Sequence, residues 1–149
     1  MSLKDKLTED MKQAMKDKEA GKLRLSVIRM VRAAIKNVEI DTKAELAEED
    51  VIAIVAKEVK MRRDSMEEFK KGQRDDLVAQ LEQEIEVLLP YLPQQLTEAE
   101  VREIVTEAVA IAGATSSKDM GKVMAVLMPK VKGRADGKLV NNIVRELLN

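Results

Sequence analysis

The chain of 149 residues contains no cysteine, no histidine and no tryptophan, and Phe69 and Tyr91 are its only aromatics. Without Cys or His it cannot build a thiol nucleophile, a disulfide, a Ser-His-Asp triad or an ordinary zinc site with nitrogen and sulfur ligands, so neither metal nor cofactor is expected. Carboxylate, Lys, Tyr or Ser chemistry remains. Glycine (6) and proline (3) are sparse. With few residues that favour strands or tight turns and an abundance of Ala, Leu, Val, Glu and Lys, an all-α fold is the expectation. No stretch approaches the roughly 20 apolar residues of a membrane span. Met1 to Ala20 is charged throughout and shows no targeting pattern, so the expected location is the cytoplasm and no membrane partner is expected.

What is present suits a folded chain: 45% of residues are hydrophobic and 36% charged, enough apolar material for a core. The net charge is −1, which by itself argues against a strongly basic nucleic-acid binder. The charges are zoned, however. Residues 1–40 hold ten Lys/Arg against six Asp/Glu, residues 75–107 hold nine acids against Arg102 alone, and residues 118–138 return to six bases against two acids. Such zoning can present a positive patch on a nearly neutral chain.

Periodicity divides the chain into seven helices. Ser2-Leu3-Lys4-Asp5 has the form of a capping box and opens a first helix that should run to about Lys18 and stop near Gly21. Leu25, Ile28, Val31, Ile35 and Val38 define the apolar face of a second helix, with Arg29, Arg32 and Lys36 on another face. A third begins near Glu48 and carries Val51, Ile52, Val55, Val59, Met66 and Phe69 up to a stop at Gly72. Asp75 and Asp76 open a fourth, with Leu77, Leu81, Ile85 and Leu88 inward. Pro90-Tyr91-Leu92-Pro93 ends that pattern, because each Pro biases its predecessor away from helical angles. The expected domains are 1–92, a four-helix unit, and 93–149, a three-helix unit. In the second, Thr97-Glu98-Ala99-Glu100 is another capping box, followed by Val101, Ile104, Val105, Ala108 and Ile111. Met120, Val123, Met124, Leu127 and Met128 mark the next helix, with the methionine row expected in the core. Asp136 can cap a last helix containing Leu139, Val140, Ile143, Val144, Leu147 and Leu148.

The segment between the last two helices is the least ordinary. Lys130, Lys132, Arg134 and Lys138 fall within nine positions around Gly133 and Gly137. Glycine lets backbone amides approach a phosphate, and Lys or Arg releases counterions when it neutralises one. The same residues also make a plain helix-to-helix turn, with Gly133 as a left-handed cap, Asp136 capping the next helix and the charges solvated. Arg29, Arg32 and Lys36 form a weaker second basic patch, for which a solvated helix face is the simpler reading, as it is for Lys57, Lys60, Arg62 and Arg63. No aromatics interleave, so base stacking is not expected. Glu82, Glu84 and Glu86 diverge around a helix and make no metal cage.

Leu25-Ser26-Val27-Ile28-Arg29-Met30, Tyr91-Leu92-Pro93-Gln94-Gln95-Leu96-Thr97, and above all the run from Asp119-Met120-Gly121-Lys122 through Pro129 to Asn141 resemble YqeY-type proteins along essentially the whole chain. Those proteins are similar to the C-terminal tail of the B subunit of the glutamine-dependent aspartyl/glutamyl-tRNA amidotransferase. The resemblance implies an all-helical fold in two parts and contact between the tail and tRNA. It makes Lys122, Lys130, Lys132, Arg134 and Lys138 the expected nucleic-acid-binding residues, with Gly121, Gly133, Asp136 and Asn141 as the framework of the motif. The larger subunit's ATP-dependent activation and the glutamine hydrolysis of its A subunit belong to domains that these residues do not match. No catalytic residue is therefore assigned. The expected function is that of a non-catalytic tRNA-binding or amidotransferase-related accessory protein. The alternatives are a helical interaction module for an aminoacyl-tRNA synthetase or amidotransferase subunit and, less favoured, a carbon-nitrogen ligase with glutamine as amido donor. Purified chain incubated with glutamine, ATP and Glu-tRNA should form no Gln-tRNA; turnover that survives removal of all copurifying amidotransferase would contradict this.

Overall fold

The computed structural model describes Met1–Asn149 and contains seven α-helices and no strand. They are α1 (Leu3–Lys16), α2 (Lys22–Thr42), α3 (Glu48–Lys71), α4 (Asp75–Leu88), α5 (Glu98–Ala112), α6 (Met120–Val131) and α7 (Gly137–Leu148). Short 3₁₀ turns precede α2, follow α4 and precede α6. The chain divides into two compact units, Met1–Leu92 and Pro93–Asn149, each with its own apolar core.

Local chemistry starts and stops these helices. Ser2 and Thr97 are complete capping boxes: each hydroxyl accepts from the backbone N–H three residues on, and the Asp5 or Glu100 carboxylate accepts in return from the cap's own N–H. The Ser2 hydrogen bond, foremost, holds the Asp5 carboxyl below its ordinary range. α5 ends at Gly113 in left-handed conformation, where Ala114 N–H closes onto the Val109 carbonyl. α3 stops at Gly72 as expected, but the left-handed angle falls one residue later. Gly72 has φ −82°, and Gln73 takes the left-handed angle at φ 57° while Arg74 N–H bonds the Phe69 carbonyl.

In the first unit Leu7, Val27, Ile28, Val31, Ile35, Val51, Val55, Val59, Ile85, Leu88 and Tyr91 form the core. Gly21 proves to be a close-packing residue as well as a boundary. A Cβ built there would lie 2.2 Å from the Ala14 carbonyl oxygen, so α1 and the start of α2 approach as closely as they do only because no side chain intervenes. Tyr91 anchors the end of the unit: it is buried, its hydroxyl donates to Asp10, and the Lys6 ammonium lies 5.2 Å from its ring centroid. Burial, followed by the Asp10 hydrogen bond, pushes its phenol well above the ordinary range.

Arg62 corrects the reading of α3 as carrying a wholly solvated basic face. It is buried (6% exposed), and its guanidinium bonds Glu58 at 2.8 Å and Glu84 of α4 at 3.2 Å. The planar fork can serve a carboxylate on its own helix and one across the helix pair at once. Removing one member of such a buried group leaves an uncompensated charge, at a cost of about 3 kcal/mol.

In the second unit α5 contributes Val101, Val105 and Ala108, α6 Val123, Leu127 and Val131, and α7 Val140, Ile143, Val144 and Leu148. The methionine row is not core: Met120 and Met124 pack at its margin and Met128 is 43% exposed. Ile111 and Leu147 also lie outward. α6 runs through Pro129 to Val131. Pro129 and Ala125, whose carbonyl would otherwise receive the missing N–H, both sit on the exposed side. Lys130 consequently belongs to the last helical turn and not to the loop.

Gly21→Ala should destabilise the first unit by about 2 kcal/mol or more through overpacking against backbone that has no rotamer to change. Denaturant titration checks this, and a variant as stable as the parent would show that the α1–α2 approach is slack.

Candidate nucleic-acid interface

The core fixes both ends of the basic segment, through Val131 on α6 and Val140 on α7. Between them Lys132 caps α6, donating its N–H to the Met128 carbonyl at 3.0 Å. Gly133 then reverses the chain at φ 75°, an angle that side-chain-bearing residues resist. Arg134 and Ala135 N–H both return to the Val131 carbonyl, at 2.9 and 3.1 Å. Asp136 starts α7, its carboxylate accepting from Lys138 N–H.

A clasp from the segment before α5 holds this turn. Gln95 Nε2 donates to the Gly133 carbonyl at 2.9 Å, Leu96 N–H donates to the Arg134 carbonyl at 2.8 Å, and Arg134 Nε donates to the Gln94 carbonyl at 3.3 Å. Gln95 also reaches the Pro93 carbonyl at 3.0 Å. The Gly133 and Arg134 carbonyls and the Arg134 and Ala135 N–H groups are thereby satisfied by protein, which fastens the turn as a ledge.

The expected site residues divide by what they touch. Lys130 and Lys132 are exposed and enter no ion pair. Lys138 is exposed at the first turn of α7. Arg134 is half-buried and part of its hydrogen-bonding capacity goes to the clasp. Lys122 stands 3.9 Å from Asp119, whose carboxyl is held below its usual range first by Thr115 N–H. Gly121 lies at the exposed start of α6, where an added Cβ would meet nothing within 4 Å. No packing requirement calls for glycine there. Asn141 sits half-buried on α7, three residues beyond Lys138, without a hydrogen-bond partner. One cation escaped the sequence reading: Arg145, exposed and unpaired, follows Lys138 by seven residues and so extends its face of α7. That spacing was the available signal. The second patch, Arg29, Arg32 and Lys36, lies on α2 in the first unit.

Two acids of the second unit are occupied away from the turn. Arg102 on α5 takes Glu98 at 3.2 Å and Glu146 at 2.9 Å. The turn thus holds Lys130 and Lys132 as exposed positive charge that enters no ion pair.

A family model described as Yqey-like protein matches residues 4–148. The chain is 31% identical over 147 residues to Altered inheritance of mitochondria protein 41, mitochondrial, of Pyrenophora tritici-repentis, covering 96% of this chain and 79% of that protein. It is 38% identical to the proteins of the same name from Kluyveromyces lactis and Candida glabrata, over 68% of this chain and 57% and 56% of theirs. The chain thus spans little more than half the length of those two. These relatives correct the expected cytoplasmic location, since all three are named as mitochondrial proteins. Composition and the lack of an apolar run do not report the compartment in which a helical protein works. No helix of the chain is long and apolar enough to cross a membrane.

Gln95→Ala should lower the stability of the second unit by about 1 kcal/mol, the net worth of one part-buried hydrogen bond, with helix content unchanged. Urea titration followed by circular dichroism measures it. An unaltered midpoint would mean that the side-chain arm of the clasp contributes nothing.

Proposed function

From the premise that this chain belongs to the Yqey-like protein family, we propose that it is a non-catalytic, RNA-binding accessory protein whose ledge at residues 130–138 grips the phosphates of tRNA. The observation that carries this reading is the combination of a clasped turn with two exposed lysines, Lys130 and Lys132, that no carboxylate neutralises. A merely solvated turn needs no such fastening. The likeness of the family to the amidotransferase B-subunit tail supplies tRNA as the ligand. The binding energy comes from counterion release, so recognition is of RNA shape and backbone and not of bases.

Lys130→Ala together with Lys132→Ala should weaken tRNA binding about equally for different tRNA species. It should also flatten the plot of log affinity against log salt by about 1.5 units, somewhat under one unit per lost phosphate contact. Lys57→Ala with Lys60→Ala on α3 serves as the control and should change neither. Equal slopes for parent and ledge variant, with the fold intact, would remove the phosphate reading in favour of a helical interaction module.

A further inference from the structure

The first unit has a concavity that the ledge does not explain. Between the start of α1 and the middle of α2 runs a cleft of about 490 Å³ whose wall brings together Lys4, Arg29, Arg32 and Lys36 against one carboxylate, Glu39. Glu39 is already committed: it accepts from Lys4 Nζ at 2.7 Å and from Leu46 N–H at 3.0 Å. These bonds, Lys4 first, hold its carboxyl below the usual range. Lys4 is committed with it and also reaches Glu45 at 3.4 Å. Arg29 and Arg32 thus remain without a carboxylate partner, and Lys36 makes no ion pair but lies within the field of Glu39.

Three further features distinguish this arrangement from an ordinary solvated face. The spacings from Arg29 to Arg32 and from Arg32 to Lys36 are i,i+3 and i,i+4, which set like charges beside one another along a helix and oppose its formation. Arg32 is half-buried with its guanidinium against the Met11 sulfur, so it cannot swing freely away from its neighbours. Ala33 lies on the same face between Arg29 and Lys36, and its single methyl, with Ile35, leaves the floor of the cleft low and apolar. Convergent cations above a small apolar floor, in a concave site with low-dielectric walls, focus positive potential on one point.

We propose that this α1–α2 cleft is a second anion site, one that takes closely spaced phosphate groups. Such groups occur both on a free polyphosphate or nucleotide and on an RNA backbone, and either source satisfies the chemistry. Two arginines and a lysine suit phosphate oxygens by charge and by the guanidinium fork. The close approach of Ala14 and Gly21 that seats α1 against α2 also keeps the cleft walls in place.

The test uses the full chain, isotopically labelled, with inorganic tripolyphosphate as one probe and unmodified tRNA as the other. With tripolyphosphate, amide shifts should move at Thr8, Ala33 and Lys36, and Arg29→Ala with Lys36→Ala, both exposed positions, should weaken binding about tenfold or more. Lys130→Ala with Lys132→Ala should leave that affinity unchanged, which separates this site from the ledge. If tripolyphosphate leaves these amides still but tRNA moves them, and the Arg29/Lys36 variant flattens the salt slope, the phosphate comes from RNA and the proposal stands. If neither probe moves Thr8, Ala33 or Lys36 in the folded protein, the cations are only solvated and the proposal fails.

Discussion

The hydrogen bond from Leu96 N–H to the Arg134 carbonyl, with Gln95 on the Gly133 carbonyl beside it, is the constraint on which the rest of the second unit's chemistry depends. It joins residues 38 positions apart and satisfies backbone groups that an isolated loop would leave to water. With those carbonyls occupied, Gly133 is held at its positive angle, Arg134 is turned back to the Gln94 carbonyl, and the exposed lysines project from a frame that does not need to order itself on binding. Preorganisation of this kind reduces the conformational entropy lost when an anion is gripped. It also divides labour among four cations that look alike in sequence: Arg134 positions, while Lys130, Lys132 and Lys138 present charge.

The same economy of charge runs through the chain. A net charge of −1 conceals a pattern in which carboxylates are matched to particular cations and the remainder are left unmatched in groups. Arg62 is held between Glu58 and Glu84, Arg102 between Glu98 and Glu146, and Lys4 between Glu39 and Glu45. Among the cations without an ion pair are Lys130 and Lys132 on the ledge and Arg29 and Arg32 in the α1–α2 cleft. Surface ion pairs contribute little to stability one by one, so the value of this sorting lies in the electric field that it leaves outside.

The all-helical class and the capped starts of α1 and α5 were legible in the sequence because they depend on neighbours within four residues. So were most inward positions, since Val51, Val55 and Val59 or Val101 and Val105 repeat with the helix. What was not legible depends on distant partners. Arg62 reads as one more basic residue on α3 until Glu84 arrives from another helix, and nothing local in Gln95 announces the Gly133 carbonyl. Gly21 was read as a stop, yet its necessity comes from Ala14 on the preceding helix. The end of α6 differed from the reading that placed Lys130 in the turn, because a helix tolerates proline where the carbonyl it orphans faces outward, as at Pro129. Met128 and Leu147 have helical spacing but fall at the edge of an apolar stripe that three short helices cover only in part. The basic residues of the ledge were identifiable from composition and glycine placement, whereas their rigidity was not.

The central claim is that the ledge is built before anything binds it, and amide hydrogen exchange on the free and tRNA-bound chain tests that most directly. The Leu96 amide should exchange slowly in the free protein, with protection comparable to the core amides of α6, and should change little when tRNA is added. Exchange of Leu96 at the rate of an exposed coil in the free chain, becoming slow only with tRNA, would contradict the account and make the turn a segment ordered by its ligand.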